Sequence, residues 1–166
     1  MTTAYVGIGA NLGDPKQQVT EATQALKASC SLIACSSLYQ TMPIGWKKQP
    51  FFINAVVSLD FEGDPMALLQ ELQAIEIRMG RKRELVCWGE ARVIDLDLLL
   101  FGSQVVNHPQ LRVPHPYLKQ RRFVLDPLFE IAPDLILPDG VPIASLMHAP
   151  SLLNQKIECI EKLAIL

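Results

Sequence analysis

Two periodicities trade places along this chain, and together they predict an ordered series of strands and helices. Thr3 to Gly9 reads as a short buried strand. Asp14 followed by Pro15 joins a helix cap to a residue preset for the first turn. The helix this predicts runs to about Ser29, with Val19, Ala22 and Leu26 on one face. Leu32 to Thr41 reads as strand, and the segment from Met42 to Pro50, with two prolines, a glycine and two lysines, as loop. Phe51 to Asp60 returns to strand, Ile53, Ala55 and Val57 alternating with Phe52, Asn54 and Val56. Asp64-Pro65 repeats the cap for a second helix to about Met79, whose apolar stripe is Leu68, Leu72, Ile75 and Met79. Gly80 to Arg92 is a charged loop, Val93 to Phe101 is the strongest strand in the chain, and a further helix is predicted near Arg121 to Ile131.

The order β-α-β-β-α-β with a C-terminal extension predicts an α+β, ferredoxin-like antiparallel sheet. Both helices lie on one face, and the other is left for the extension and a ligand. At 166 residues and 49% hydrophobic, the chain is expected to form one domain, 1–166.

Charge changes this picture locally. The net charge of −2 argues against general nucleic-acid binding. Yet eight of the fifteen Lys and Arg lie between Arg81 and Arg122, a basic stretch suited to an anionic ligand. Cys30, Cys35, Cys87 and Cys159 form no C-x-x-C pair and have no His at zinc spacing, so they read as free thiols of a reducing cytoplasm. The start of the chain carries no basic and apolar leader, and no apolar run approaches the ~20 residues of a membrane helix.

The chemistry concentrates on the last strand of the series. In Val93 to Phe101, Ile94, Leu96, Leu98 and Leu100 share one face, while Asp95 and Asp97 share the other, about 7 Å apart. Two such carboxylates chelate hard cations, and two Mg²⁺ about 4 Å apart can bridge a polyphosphate. The plainer explanation is a solvated strand face. It fits less well, because Val93, Leu99 and Phe101 fall on the same face and are apolar, and because paired Asp is disfavoured in strands without a cation.

Arg81, Arg83 and Arg92 bracket the preceding loop, and the planar guanidinium fork suits phosphate. With Gly80 and Gly89, this loop is a candidate lid over a nucleotide. Further on, His115 and Arg121 can meet a triphosphate from the other side, whereas His108 and His148 read as structural. On the remaining side, backbone groups of Thr41 to Ile44 and the amide of Asn54 match a flat heterocycle with amide-like edges, and Phe52, Phe123 or Trp88 offer ring faces for stacking.

Gly9-Ala-Asn-Leu-Gly-Asp14, Ser37-Leu-Tyr-Gln-Thr-Met-Pro43, Gln49-Pro-Phe-Phe-Ile-Asn-Ala55, Arg92-Val-Ile-Asp-Leu-Asp-Leu98 and Val113-Pro-His-Pro116, in that order, resemble the 6-hydroxymethyl-7,8-dihydropterin pyrophosphokinase family of folate biosynthesis. The resemblance implies a ferredoxin-like, monomeric, Mg²⁺-dependent enzyme that binds ATP before the pterin. It places two Mg²⁺ on Asp95 and Asp97, lid arginines at Arg81 and Arg92, and phosphate contacts at His115 and Arg121. Pterin contacts fall at Thr41, Met42, Ile44, Asn54 and Phe123, with Phe52 at an aromatic position. Nucleotide contacts fall at Gln73, Glu76, Arg83, Trp88 and Leu98. The chain departs from the family in Trp88-Gly89-Glu90-Ala91-Arg92, one residue longer than the usual Trp-Gly-Pro-Arg, and in having Met42 and Phe52 where Pro and Tyr are common.

Two other functions fit less of the sequence. Gly7-Ile8-Gly9-Ala10-Asn11-Leu12-Gly13 suggests a dinucleotide oxidoreductase, but its glycines are one residue too widely spaced and the second strand ends without the acidic ribose ligand. A non-catalytic RNA-binding module would need a basic balance and an aromatic-rich strand, and Asp95 and Asp97 would repel phosphates. No G-x-x-x-x-G-K-[ST] is present, which excludes a P-loop kinase.

Overall fold

The computed structural model describes residues 1–42, 51–80 and 93–163. Within them run β1 (Thr2–Ala10), α1 (Pro15–Ser29), β2 (Ser31–Cys35), β3 (Ser37–Thr41), β4 (Phe52–Phe61), α2 (Pro65–Arg78), β5 (Asp95–Phe101), β6 (Val106–His108), β7 (Leu111–Val113), α3 (Arg122–Ile131) and β8 (Ile157–Lys162). The main sheet is antiparallel throughout, in the order β5-β1-β4-β3-β8, with β2 also paired to β4. A separate hairpin joins β6 to β7. No helix among the described residues is long and apolar enough to cross a membrane.

The caps explain where the first two helices begin. Asp14 and Asp64 accept the backbone N–H of Gln17 and Ala67, with proline opening each helix. Val19, Ala22 and Leu26 of α1 and Leu68, Leu72 and Ile75 of α2 bury their stripes against one face of the sheet, where Val6, Ile8, Val57 and Leu96 project. On the opposite face, Val124, Leu125 and Leu128 of α3 join Leu137, Ile143 and Leu152 over Val56, Leu99 and Leu100. β4 lies between both cores, so its residues from Ile53 to Leu59 are all buried.

Three features differ from the sequence expectations. The strand predicted from Leu32 to Thr41 is broken at Ser36 into β2 and β3. Ser36 donates its N–H to the Val56 carbonyl at 2.9 Å and accepts the Val56 N–H on its hydroxyl, also at 2.9 Å. The side-chain oxygen stands in for a ladder carbonyl, and the register against β4 slips by one residue. The second difference lies in β5. Val6 pairs with Leu98 but Tyr5 pairs with Leu100, so one residue is inserted and the alternation reverses. Phe101, expected on the aspartates' face, packs in the helix-side core; Leu100, expected there, packs with Leu99 on the other side. Third, the tail re-enters the sheet as β8, along the outer edge of β3.

The Ser36 substitution for a ladder bond is open to test. Ser36→Ala leaves the buried Val56 N–H without its acceptor, and should lower unfolding free energy by about 1–3 kcal/mol in urea titrations. An unchanged midpoint would contradict this role.

Candidate active site

β1 turns Val6 and Ile8 toward the helix-side core and therefore Gly7 and Gly9 toward the opposite face. Gly7 lies between Asp97 of β5 and Val56 of β4, and Gly9 between Asp95 of β5 and Asn54 of β4. A Cβ at Gly9 would stand 2.9 Å from Asn54 Oδ1, too close to be accommodated without moving the amide. Next to it, Thr41 Oγ1 accepts a hydrogen bond from Asn54 Nδ2 at 2.9 Å; both residues are buried, and the bond holds the amide edge in place. Above this floor opens a cavity of about 110 Å³, walled by Thr41, Met42 and Phe52 on one side, Asp95 and Asp97 on the other, and Arg121 and Phe123 across the top.

The upper wall is built from the segment leading into α3. The Arg121 guanidinium carbon sits 4.8 Å from the centre of the Tyr117 ring and 5.5 Å from that of Phe123, so two aromatic faces hold the cation. His115 accepts the Tyr117 N–H on Nδ1 at 3.2 Å, which leaves the proton of the neutral imidazole on Nε2 as a donor. Burial, then the Arg121 charge, lower its pKa from 6.5 to about 4, against an opposing pull from Asp95. His115, Arg121 and Asp95 thus act on one another across one site.

Eight of the residues singled out from sequence therefore line one cavity: Thr41, Met42, Phe52, Asn54, Asp95, Asp97, Arg121 and Phe123. Others stand elsewhere. Leu98 is buried in the helix-side core, so only its main chain can reach a ligand. Glu76 is buried on α2, where its carboxylate accepts the Leu96 N–H at 3.0 Å from the outer edge of β5. Gln73 is half-buried one turn earlier on α2. Ile44, Arg81, Arg83, Trp88 and Arg92, with the proposed lid, lie outside the described residues.

Sequence reasoning missed Glu130 and Gln155. Glu130, near the end of α3, accepts the Ser37 N–H, the Ser37 hydroxyl at 2.8 Å and the Tyr39 hydroxyl at 2.6 Å, fastening α3 to β3. Burial, reinforced by that carboxylate, pushes the Tyr39 hydroxyl far above its ordinary pKa. Two hydroxyl side chains at alternate strand positions, Ser37 and Tyr39, were the available signal. Gln155 grips the residues on either side of Arg121.

A family model described as 7,8-dihydro-6-hydroxymethylpterin-pyrophosphokinase (HPPK) matches residues 5–133. The chain belongs to the HPPK family. It is 46% identical over 147 residues to the 2-amino-4-hydroxy-6-hydroxymethyldihydropteridine pyrophosphokinase of Pseudomonas aeruginosa, covering 87% of this chain and 90% of that one. The Haemophilus influenzae enzyme of the same name is 42% identical over 149 residues, covering 89% and 92%. Among solved structures, wild-type Plasmodium falciparum HPPK-DHPS with pteroate aligns with a TM-score of 0.69 at 16% identity. It covers 87% of this chain but only 41% of that longer one, and it shows a common fold.

The donor set of this HPPK site fits Mg²⁺. Asp95 and Asp97 offer hard carboxylate oxygens, half-buried and facing the same cavity beside two glycines that add no side chain. Among the described residues no three His, Cys, Asp or Glu converge as a closed metal cage. Mg²⁺ needs none, because it typically takes one or two carboxylates and completes its shell with water and substrate phosphate.

The His115 environment gives a pH prediction for the free protein. A base whose pKa falls on folding adds stability that is complete above its unfolded value, near 6.5, and lost as the pH drops toward about 4. His115→Asn keeps an acceptor for Tyr117 without a titrating group, so its melting temperature should fall less than that of the parent across this window. Parallel curves would contradict the buried neutral imidazole.

Proposed function

We propose that this chain transfers the pyrophosphoryl group of ATP to 6-hydroxymethyl-7,8-dihydropterin, giving AMP and the pterin diphosphate for folate biosynthesis. The carrying observation is the shared cavity: a buried amide edge, a carboxylate pair and a ring-stacked arginine meet over one glycine-floored stretch of sheet. In this reading the pterin edge pairs with Asn54 and the main chain from Thr41 through Ile44. Its ring lies against Phe52 or Phe123. The triphosphate spans from Arg121 and the Nε2 proton of His115 toward Asp95 and Asp97.

Two Mg²⁺ are assigned to Asp95 and Asp97, supplying neutralisation of the phosphate charge and acidification of the pterin hydroxyl. The residues of the chain do the positioning on which phosphoryl transfer depends. Asn54 and its neighbours aim the hydroxymethyl group along the β1 floor at the β-phosphorus, and AMP leaves on the opposite side. Arg121 and His115 hold phosphate oxygens without competing for the aspartates' face. Arg81 and Arg92 are assigned to charge stabilisation during transfer, and Arg83, Trp88, Gln73 and the main chain of Leu98 to the nucleotide. Glu76 supports that edge through Leu96.

The strand order β5-β1-β4-β3, with α1 and α2 on one face, is read as a ferredoxin-like core to which the segment after α3 adds a C-terminal extension. We assign the chain to one domain, 1–166, working as a monomer in the cytoplasm on small molecules, without nucleic-acid or membrane partners. Among the described cysteines, Cys30, Cys35 and Cys159 are free thiols, which suits a reducing compartment.

Asp95→Asn and Asp97→Asn test the assignment, because each keeps the shape of the site while removing a charge. Each should lower Mg²⁺-dependent AMP formation on the order of 100-fold or more, with melting temperature little changed. Near-parent AMP production by both variants, or ADP as the nucleotide product of the parent, would overturn the proposed chemistry.

A further inference from the structure

α3 begins in an unusual way. The first N–H groups of a helix need acceptors, which a Ser, Thr, Asp or Asn at the cap normally provides. Here the cap position is held by Arg121, whose side chain carries no acceptor and makes no capping bond. The acceptor comes instead from Gln155, 33 residues beyond Arg122. Its Oε1 accepts the Arg122 N–H at 2.8 Å, and its Nε2 donates to the Gln120 carbonyl at 2.7 Å. One side-chain amide therefore bonds to the residue before Arg121 and to the residue after it.

The brace is itself braced. Arg122 Nη1 donates to the Gln155 carbonyl at 2.9 Å, and Arg122 Nε reaches Asp126 at 3.2 Å. Gln155 also donates its own N–H to the carbonyl of Leu152, a residue buried in the core beneath α3. The polar tail segment is thus anchored to hydrocarbon at one end and to the arginine's backbone at the other.

We propose that Gln155 is a positioning residue that fixes the backbone of Arg121, so that its ring-stacked guanidinium is already oriented when the triphosphate arrives. This rests on the reading of Arg121 as a phosphate contact. The sequence places a cation where a cap belongs, and the tail supplies the missing cap, so the same residue can end a loop and face an anion. No bond from Gln155 reaches Asp95, Asp97, Asn54 or Thr41, and the far end of α3 is separately fastened by Glu130. Its loss should therefore fall chiefly on the nucleotide, because the Asn54–Thr41 edge assigned to the pterin is held independently of Gln155.

A double-mutant cycle separates this role from general stabilisation. Binding of α,β-methylene-ATP with Mg²⁺, and of the pterin, would be measured by calorimetry on the full chain. The variants are Gln155→Met, which keeps volume without the hydrogen bonds, Gln155→Ala, Arg121→Ala and the Gln155/Arg121 double variants. Each Gln155 variant should weaken nucleotide binding roughly tenfold, the scale of re-ordering one long side chain on binding. Pterin binding should stay within about twofold, and in the Arg121→Ala background the Gln155 change should add almost nothing. Nucleotide affinity unchanged in Gln155→Met, or an equal penalty with and without Arg121, would overturn the proposal while leaving the assigned function intact. Unchanged nucleotide affinity in Arg121→Ala alone would remove Arg121 from the triphosphate, and this inference with it.

Discussion

The site depends on β1 presenting two positions without side chains, Gly7 and Gly9, between strands that carry the chemistry. Neighbouring strands lie about 4.8 Å apart, so β5 and β4 flank β1 at roughly 10 Å from one another. Side chains at both positions would fill that interval. At Gly9 the obstruction is immediate, since the nearest atom to an added Cβ is the Asn54 amide oxygen at 2.9 Å; at Gly7 it is ordinary contact with Leu99. With both positions bare, the carboxylates of Asp95 and Asp97 and the amide edge of Asn54 share one floor. The spacing suits two substrates lying end to end, a heterocycle over β4 and a polyphosphate over β5.

What closes this floor from above is held mainly by polar ties. α3 packs through Val124, Leu125 and Leu128, which set its distance from the sheet. Hydrogen bonds set its register: Glu130 to Ser37 and Tyr39 at one end, Gln155 to the residues around Arg121 at the other. Apolar burial is non-directional, whereas a hydrogen bond is not, so the division gives adhesion to one and alignment to the other. The charges are complementary across the gap. The acids project from the sheet, Arg121 projects from the entrance to α3, and His115 stays neutral near pH 7, so it can donate to an anion without adding charge.

The parts of this arrangement that were legible in the sequence are those governed by local rules. Asp14-Pro15 and Asp64-Pro65 start helices because a cap and a preset φ act within one turn. Asp95 and Asp97 share a face because strand period is two, and that reading held up to the inserted residue beyond Leu98. Past that point the register is imposed by β1, and no feature of Val93 to Phe101 alone announces it. Ser36 likewise breaks its strand by satisfying a residue of β4. Glu130 and Gln155 act across 93 and 33 residues, and their partners are fixed only once the chain has folded. Glu76, which matched a nucleotide position, has its carboxylate on the edge of β5, a use that periodicity does not distinguish from ligand contact.

The most direct measurement is a crystal structure of the chain with α,β-methylene-ATP, the hydroxymethyl pterin and Mn²⁺ in place of Mg²⁺, using the anomalous signal of manganese to find the metal. Manganese should be bonded to carboxylate oxygens of Asp95 and Asp97 and to the nucleotide phosphates, with the pterin against Asn54. Manganese bound elsewhere, or a nucleotide seated with both aspartates bare, would contradict this assignment.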